Sequence, residues 1–249
     1  MLGVRRTVES TQPTCCLISQ EAEARVPAAA MRERSMQRET NQASRTRTFW
    51  QKFPEVRLPA LGKEELNQYW YSADTVATLA SEAIAETPQD GGRIAFLSTP
   101  SVYFAVKSQQ SDALHQRECV LFDVRLITSG LSWSPRSEGD QFVPFDFHKP
   151  DDIPPELLGA FDFVVVDPPF ITREVWELYA TAIKLLLRST GSKILLTTIE
   201  ENEAMMRELL GCRVQTFKPA IPHLVYQYAL FANYESTPLG SANPEVPTD

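Results

Sequence analysis

Residues 163–170 read FVVVDPPF. The run of one phenylalanine and three valines is typical of a strand buried in a sheet. Proline has no backbone N–H and a fixed φ, so Pro168 and Pro169 cannot continue the hydrogen-bond ladder of a sheet. The sequence therefore predicts a strand that ends at Asp167 and a stiff, exposed turn after it.

Short apolar runs like this one alternate along the chain with helical patterns. The predicted strands are 93–98, 119–123, 142–147, 162–167 and 193–198, with a closing pair at 213–219 and 224–234. The predicted helices are 65–87, 101–114, 172–188 and 200–211, the last closed by Gly211. The alternation predicts an α/β, Rossmann-like doubly wound sheet of about seven strands, mostly parallel with one antiparallel strand near the C-terminus.

Composition divides the chain into three parts. Residues 1–48 contain eight arginines, no lysine and five glutamates, with few large apolar residues, and we expect a disordered N-terminal tail. An Arg-rich transit peptide is the alternative for this segment, and its five glutamates argue against that. We expect the globular domain at 49–236 and a disordered C-terminal tail at 237–249.

The charge and the cysteines of the chain restrict its function. The chain carries −8, of which the tails hold +3 and −2, so the domain at 49–236 carries −9 and disfavours nucleic acid as a partner. The four cysteines show no CxxC pair and no metal-ligand spacing, so we predict no metal site and a reducing compartment, the cytoplasm. No apolar run is long enough to span a membrane.

Three consecutive strands are predicted to end on or near an acid, at Asp123, Asp146 and Asp167. Single acids at strand ends often only start turns or cap helices. Ligands of doubly wound sheets, however, bind beyond the carboxyl ends of the strands, so three acids at one edge favour a site. Asp123 is placed to accept hydrogen bonds from ribose hydroxyls, and Asp146 to reach an adenine edge.

The DPPF turn at 167–170 has the chemistry to hold an amine. Asp167 is a fixed acceptor, the Pro168–Pro169 turn directs a backbone carbonyl into the cleft, and Phe170 offers a ring face. An amine nucleophile must present its lone pair to an electrophile, and a nearby carboxylate stabilises positive charge on nitrogen. We therefore expect Asp167 to position the amine rather than to act as a strong base.

The turn after the first predicted strand lacks the motifs of phosphate-binding loops. Its sequence, STPSVY at 98–103, contains no GxGxxG and no P-loop lysine motif, which disfavours dehydrogenases and nucleotide triphosphatases. Ser98, Thr99 and Ser101 can still turn the chain around a ligand without phosphates, such as an adenosyl group, and Pro100 suits the first turn of a helix. An adenosyl site beside an amine-holding turn is the arrangement of an amino methyltransferase.

Further segments carry a family resemblance, namely QYWYS (68–72), GGRIAFLSTPSVY (91–103), FDF (145–147), FDFVVVDPPF (161–170) and KILLTT (193–198). Together they resemble the elongation factor 1-alpha lysine methyltransferase 1 family, class I S-adenosylmethionine-dependent enzymes formerly grouped with N6-adenine methyltransferases. The resemblance covers about residues 64–236, and the sequence departs from the family pattern at 124–140.

The resemblance implies S-adenosylmethionine as the cofactor and a protein lysine, suspected to lie in elongation factor 1-alpha, as the substrate. The implied amine-holding residues are Asp167, Pro168, Pro169 and Phe170. The implied cofactor-binding residues are Ser98, Thr99, Pro100, Ser101, Asp123, Asp146 and Phe147. Trp70, Tyr71 and Ser72, expected on the first helix, are implied to line the substrate cleft.

Two other functions remain as alternatives. Adenine-N6 methylation of DNA or RNA presents an exocyclic amine to the same kind of turn, but it needs base extrusion and a basic track for the backbone. A catalytically silent fold that only binds partners is the third reading, and the intact DPPF turn argues against it. The aromatic pair Trp176 and Tyr179 in the predicted helix 172–188 is expected to pack in the core.

Overall fold

A seven-stranded sheet is the centre of the described part of the chain, which the computed structural model gives as residues 71–109, 117–123, 141–222 and 224–247. The strands are β1 (Arg93–Leu97), β2 (Glu118–Phe122), β3 (Gln141–Val143), β4 (Phe163–Val166), β5 (Lys193–Ile199), β6 (Arg213–Val214) and β7 (Tyr228–Ala232). Their order is β3-β2-β1-β4-β5-β7-β6. β1 to β5 run parallel, and β7 is antiparallel to both β5 and β6. The predicted sheet, with one antiparallel strand near the C-terminus, is confirmed.

Helices cover both faces of this sheet. They are α1 (Ala73–Ala85), α2 (Pro100–Gln109), α3 (Arg173–Leu186) and α4 (Glu203–Leu210). Neighbouring residues of a strand point to opposite faces, so Ile94 and Phe96 pack with α1 and α2, while Ala95 and Leu97 pack with α3 and α4. The fold is therefore doubly wound, with two apolar cores separated by the sheet.

Local sequence signals define the ends of several helices. Ser72 caps α1, because its hydroxyl accepts a hydrogen bond from the Thr75 backbone N–H at 3.1 Å. Gly211 ends α4 with a φ of 67°, a left-handed conformation that glycine adopts without steric cost. The predicted closure of this helix at Gly211 is therefore confirmed.

The structure corrects three element boundaries. β3 ends at Val143 instead of continuing to residue 147, because Pro144 has no N–H for the ladder. The described part of the first helix begins at Ala73, so Tyr71 and Ser72 precede it. The closing pair of strands has a long connection at 215–227 instead of a short return, and prolines at 219 and 222 interrupt the ladder there.

The structure also differs from the prediction of a disordered segment at 237–249. Within residues 237–247, Pro238–Gly240 form a 3₁₀ helix and Leu239 is fully buried. The Asn243 side chain donates a hydrogen bond to the Lys218 carbonyl at 2.9 Å. One apolar anchor and one buried amide therefore hold a segment whose composition alone indicates disorder.

Several predictions fall on residues outside the described part. They are the tail at 1–48, the cleft residue Trp70 and the loop at 126–140. Within the described residues, no helix is long and apolar enough to cross a membrane.

Candidate active site

The carboxyl edge of the sheet brings three of the predicted residues into one row. The strand order reverses between β1 and β4, and the hydrogen-bond pattern continues one residue beyond each strand end. The Asp167 N–H donates to the Leu97 carbonyl at 3.2 Å, the Ser98 N–H to Phe122 at 2.9 Å and the Asp123 N–H to Val143 at 3.3 Å. Asp123, Ser98 and Asp167 thus lie side by side at the topological switch point, where ligands of such folds bind.

The DPPF turn forms one half of this edge. Asp167 is half-buried, Pro168 is buried, and the Phe170 side chain is 50% exposed. The Asp167 Oδ1 accepts a hydrogen bond from the Thr197 hydroxyl of β5 at 2.9 Å. The turn therefore combines a carboxylate of fixed direction with an aromatic ring open to solvent.

The residue that follows the turn is also held in place. The Asn202 side-chain amide donates to the Ile171 carbonyl at 3.0 Å and to the Thr198 hydroxyl at 2.9 Å. These two bonds join the end of the DPPF segment to the end of β5. The turn is consequently anchored at both sides, which is what a site that must align an amine requires.

The Tyr71 side chain reaches the same carboxylate. It is 3% exposed, and its hydroxyl lies 2.6 Å from the Thr197 Oγ1. Burial raises the pKa of Tyr71 well above its ordinary value, and the negative charge of Asp167 raises it further. Tyr71 is therefore a neutral phenol at physiological pH, brought next to the predicted amine site.

Ser72 has a structural task in addition to the predicted place in the cleft. Besides capping α1, its hydroxyl lies 3.0 Å from the Thr75 hydroxyl and contacts the Glu245 carboxylate of the C-terminal segment. The residue is fully buried. Its contacts join the start of α1 to residues 237–247, and its role in the cleft stays a prediction.

The segment after β1 forms the other half of the edge. Ser98 has a φ of 56°, which is uncommon for a residue with a side chain and costs on the order of 1 kcal/mol. Its hydroxyl lies 2.7 Å from the Tyr179 hydroxyl of α3. Thr99 donates a hydrogen bond to the Val165 carbonyl at 3.3 Å, and Pro100 begins α2. The chain thus turns sharply here without the glycines of a dinucleotide loop.

The polar groups on this half fit an adenosyl ligand. The carboxylate of Asp123 is 2% exposed at the end of β2, a position suited to accepting hydrogen bonds from ribose hydroxyls. Thr99 and Ser101 are 2% and 4% exposed, so the turn presents a compact, uncharged backbone surface. Neither a glycine-rich loop nor a lysine is needed, because an adenosyl group carries no phosphate.

Asp146 lies in a different setting from the one that the sequence predicts. It is three residues beyond the end of β3, and its Oδ1 accepts hydrogen bonds from the His148 backbone N–H and pairs with the His148 Nδ1, both at 3.0 Å. The bond from the His148 backbone lowers the pKa of this exposed carboxyl. Asp146 therefore holds its own turn, as strand-end acids often do, and its contact with adenine stays a prediction.

Phe147 lies nearer to the cofactor half. Its ring centroid is 4.1 Å from that of His148 and 5.5 Å from that of Tyr179, whose hydroxyl contacts Ser98. Tyr179 is 1% exposed, as its prediction as a core residue requires. The sequence did not indicate that its hydroxyl supports the Ser98 turn.

Two residues of this edge have roles that the sequence did not predict. Thr197 contacts Asp167, which lies 30 residues away in the sequence, and Tyr179 contacts Ser98, which lies 81 residues away. A signal for Thr197 exists only in retrospect, because KILLTT is an apolar strand that changes to hydroxyl residues as it approaches the functional edge.

The sheet order and the chemistry of its carboxyl edge together define a Rossmann-like methyltransferase. Among known proteins, a family described as probable N6-adenine methyltransferase matches residues 62–236. EEF1A lysine methyltransferase 1 of Homo sapiens is 33% identical over 176 residues, which cover 69% of this chain and 75% of that protein. The chain belongs to the EEF1A lysine methyltransferase 1 family, which confirms the resemblance seen in the sequence.

Other relatives agree with this family. The EEF1A lysine methyltransferase 1 of Danio rerio is 34% identical over 175 residues, 69% of this chain and 98% of that protein. A protein-lysine N-methyltransferase of Dictyostelium discoideum is 30% identical over 182 residues, 72% of this chain and 80% of that protein. Each of these names describes an enzyme that modifies lysine.

The fold has a counterpart among solved structures. The branched-chain polyamine synthase C9 mutein of Thermus thermophilus, in complex with N4-aminopropylspermidine and 5'-methylthioadenosine, superposes with a TM-score of 0.52. The two are 14% identical, and the match covers 77% of this chain and 62% of that one. At this identity the likeness concerns the fold alone.

Proposed function

We propose that this chain is an S-adenosylmethionine-dependent protein-lysine N-methyltransferase that acts on elongation factor 1-alpha. The observation that carries the proposal is the Asp167 carboxylate, held at the rigid end of β4 directly beside the turn that follows β1. The names of the relatives in Homo sapiens and Danio rerio support elongation factor 1-alpha as the substrate.

The cofactor half of the edge is proposed to bind the adenosyl group of S-adenosylmethionine. Asp123 would accept hydrogen bonds from its ribose, and the turn of Ser98, Thr99, Pro100 and Ser101 would enclose it. Phe147 would add an aromatic surface near that turn. When bound, the cofactor supplies a methyl group on a sulfonium, which is an electrophile for an amine.

The DPPF half is proposed to align the lysine amine. A lysine must lose a proton before it has a lone pair to donate, and a carboxylate close to it favours the charged form. Asp167 therefore contributes chiefly by accepting a hydrogen bond from the amine. It would also stabilise the positive charge that develops on nitrogen as the N–C bond forms, the S–C bond of the sulfonium breaks and S-adenosylhomocysteine leaves. The fixed position of the carboxylate lowers the entropic cost of alignment.

The surface around the site suits a protein substrate. Large apolar side chains at Phe170, Val225 and Tyr226 are 50%, 92% and 46% exposed. Tyr228 pairs with Ile199 at the carboxyl end of β5, so Val225 and Tyr226 approach the same edge of the sheet. An acidic domain with apolar residues at its edge favours a polypeptide over nucleic acid.

The alternative of adenine methylation loses its support. The matching family keeps adenine in its description, but the curated relatives are named for lysine. The net charge of −9 on the domain also disfavours binding of the nucleic-acid backbone, whose phosphates require a surface of basic residues. A substrate in translation implies that the enzyme works in the cytoplasm. The N-terminal limit of the domain at 49 stays a prediction.

The test is a transfer assay with the purified full chain, tritiated S-adenosylmethionine and purified elongation factor 1-alpha. We expect label in the elongation factor and a methylated lysine in its peptides by mass spectrometry. Parallel reactions contain adenine-rich DNA or RNA, and a cell lysate with and without nuclease. Label found only in nucleic acid, or lost on nuclease treatment, would contradict the proposal.

A further inference from the structure

Two buried hydroxyls converge on Asp167 from other parts of the chain. Thr197, on β5, donates to the Asp167 Oδ1 at 2.9 Å. The Tyr71 hydroxyl, before α1, lies 2.6 Å from the Thr197 Oγ1. Sequence separations of 126 and 30 residues make this a tertiary contact that the fold must assemble.

The direction of these hydrogen bonds follows from counting protons. A carboxylate only accepts, so the single hydroxyl proton of Thr197 points to Asp167. The phenol proton of Tyr71 then has two acceptors, the Thr197 oxygen at 2.6 Å and the Asp167 carboxylate, to which Tyr71 also hydrogen-bonds. Tyr71, Thr197 and Asp167 therefore form one hydrogen-bonded cluster, in which the bonds polarise and strengthen one another.

Burial strengthens this cluster of hydrogen bonds. Thr197 is 2% exposed and Tyr71 is 3% exposed, so water does not compete for either hydroxyl. Burial also keeps the phenol of Tyr71 protonated, because it raises the pKa of that side chain well above the ordinary value. The phenol remains a donor throughout the physiological pH range.

We infer that Thr197 and Tyr71 are positioning residues that fix the direction of the Asp167 carboxylate for the incoming amine. The inference rests on the proposed function. A bond to one carboxylate oxygen stops rotation of the group, and this sets the direction of the second oxygen as well. The carboxylate is thereby oriented before the substrate arrives, so alignment does not have to be established during the reaction.

A purely structural role predicts different kinetics. A threonine that only stabilises β5 would lower the melting temperature when it is changed, but each folded molecule would turn over at the wild-type rate. A positioning residue lowers kcat of the folded enzyme, with little change in the KM for S-adenosylmethionine. The two roles are therefore separable.

The experiment measures steady-state kinetics on purified elongation factor 1-alpha for four variants of the full chain. Thr197→Val removes the hydroxyl at nearly constant volume, and we expect kcat to fall roughly ten- to hundred-fold. Thr197→Ser restores the hydroxyl and should return kcat to within about five-fold of the wild type. Tyr71→Phe keeps the ring and should lower kcat by roughly three- to ten-fold, since it removes the bonds of the phenol to Thr197 and Asp167.

Thr87→Val is the matched control. Thr87 is also 3% exposed, and its hydroxyl bonds to the Ala83 carbonyl at the end of α1 instead of to the site. We expect its kcat to equal that of the wild type after correction for the folded fraction. Should Thr197→Val not fold, Tyr71→Phe carries the test.

Two results would overturn the inference. The first is a wild type that methylates the elongation factor while Thr197→Val and Tyr71→Phe keep its kcat. The second is independent of turnover: crystal structures of the wild type and Thr197→Val in which Asp167 has the same single side-chain conformation. A wild type without transfer to any protein refutes the proposed function instead, and the crystallographic comparison then still decides the role of Thr197.

Discussion

The carboxylate of Asp167 is the residue on which the proposed chemistry depends most. Asp167→Ala removes the acceptor for the amine and the negative charge that stabilises the charge developing on nitrogen. We expect the rate of methyl transfer to fall roughly hundred- to thousand-fold, as it does when a preorganised electrostatic group is lost. Single-turnover transfer of tritiated methyl groups to elongation factor 1-alpha measures this rate.

The control for this variant is an acid outside the site. Asp151→Ala changes an exposed carboxylate of the 3₁₀ helix Pro150–Asp152 and should leave transfer unchanged. Binding of S-adenosylhomocysteine to Asp167→Ala, measured by calorimetry, should stay within about three-fold of the wild type, because no cofactor contact is removed. Near-normal transfer by Asp167→Ala would contradict the role of the carboxylate.

Asp123 tests the cofactor half of the site. Its carboxylate is buried at the end of β2, where it is proposed to bind the ribose. Asp123→Ala should weaken binding of S-adenosylhomocysteine roughly ten- to hundred-fold, the effect of losing hydrogen bonds to a charged acceptor. Calorimetry measures this affinity. Asp123→Asn keeps one acceptor oxygen, so its affinity should lie between those of the wild type and Asp123→Ala. Equal affinities for all three proteins would remove Asp123 from the site.

At the scale of single residues, the sequence predicted the acids of the site better than their supports. Asp123 and Asp167 follow apolar runs directly, so chain order alone placed them at the edge of the sheet. Thr197 and Tyr179 are supports whose hydroxyl bonds depend on packing between distant segments. Local pattern cannot indicate such contacts, because the same residues occur in strands and helices without any site.

At the scale of elements, the turn between α1 and β1 requires glycine at two adjacent positions for two different reasons, a close backbone contact at Gly92 and a positive φ at Gly91. A Cβ at Gly92 would lie 2.1 Å from the Pro88 carbonyl oxygen, whereas a Cβ at Gly91 would meet nothing within 4 Å. Gly91 instead has a φ of 69°. Gly91→Ala should therefore cost about 1 kcal/mol of unfolding free energy, and Gly92→Ala about 3 kcal/mol, because the backbone itself must move.

Urea denaturation of the two glycine variants provides the comparison. Each variant serves as the control for the other, since both add one methyl group to the same turn. We expect the midpoint of Gly92→Ala to lie below that of Gly91→Ala. The reverse order would mean that the turn relaxes around the new side chain more easily than the close approach of Pro88 suggests.

Each error in the predicted elements has a physical cause. The stretch FVPFDF looks like a strand by its alternation, but Pro144 ends β3 at Val143. Helical spacing continues through Tyr71, yet Ser72 is an N-cap and begins α1 one residue later. The segment 237–247 has little apolar content, and only tertiary structure reveals that Leu239 fills a buried position.

At the scale of the whole molecule, the sheet divides the proposed reaction between two groups of strands. β2 and β1 end at Asp123 and Ser98 on the cofactor side, while β4 and β5 end at the DPPF turn and near Thr197 on the amine side. The site therefore requires both groups of strands, because neither group alone carries the cofactor side and the amine side. Loss of the global fold should abolish cofactor binding and transfer together.

The stability of the whole molecule should decrease in alkaline solution. Burial raises the pKa of the Cys212 thiol from 9.0 to about 12, and burial also raises the pKa of Tyr71 and of Tyr234. Above the pKa values of the unfolded chain, the folded state binds more protons than the unfolded state. The free energy of unfolding therefore falls as the pH rises from about 9 towards 12, and the stabilisation is fully present below about pH 9.

Cys212→Ala separates the contribution of the thiol from that of the tyrosines. At about pH 10.5 the thiol alone should account for a loss of about 2 kcal/mol relative to neutral pH. Urea denaturation at pH values between about 7 and 10.5 should give a steep decline for the wild type and a shallower one for Cys212→Ala. The comparison uses the slopes, because the cavity left by the smaller side chain lowers stability equally at every pH. Identical slopes would mean that the Cys212 thiol ionises as readily in the folded protein as in the unfolded chain, which its complete burial next to the end of α4 argues against.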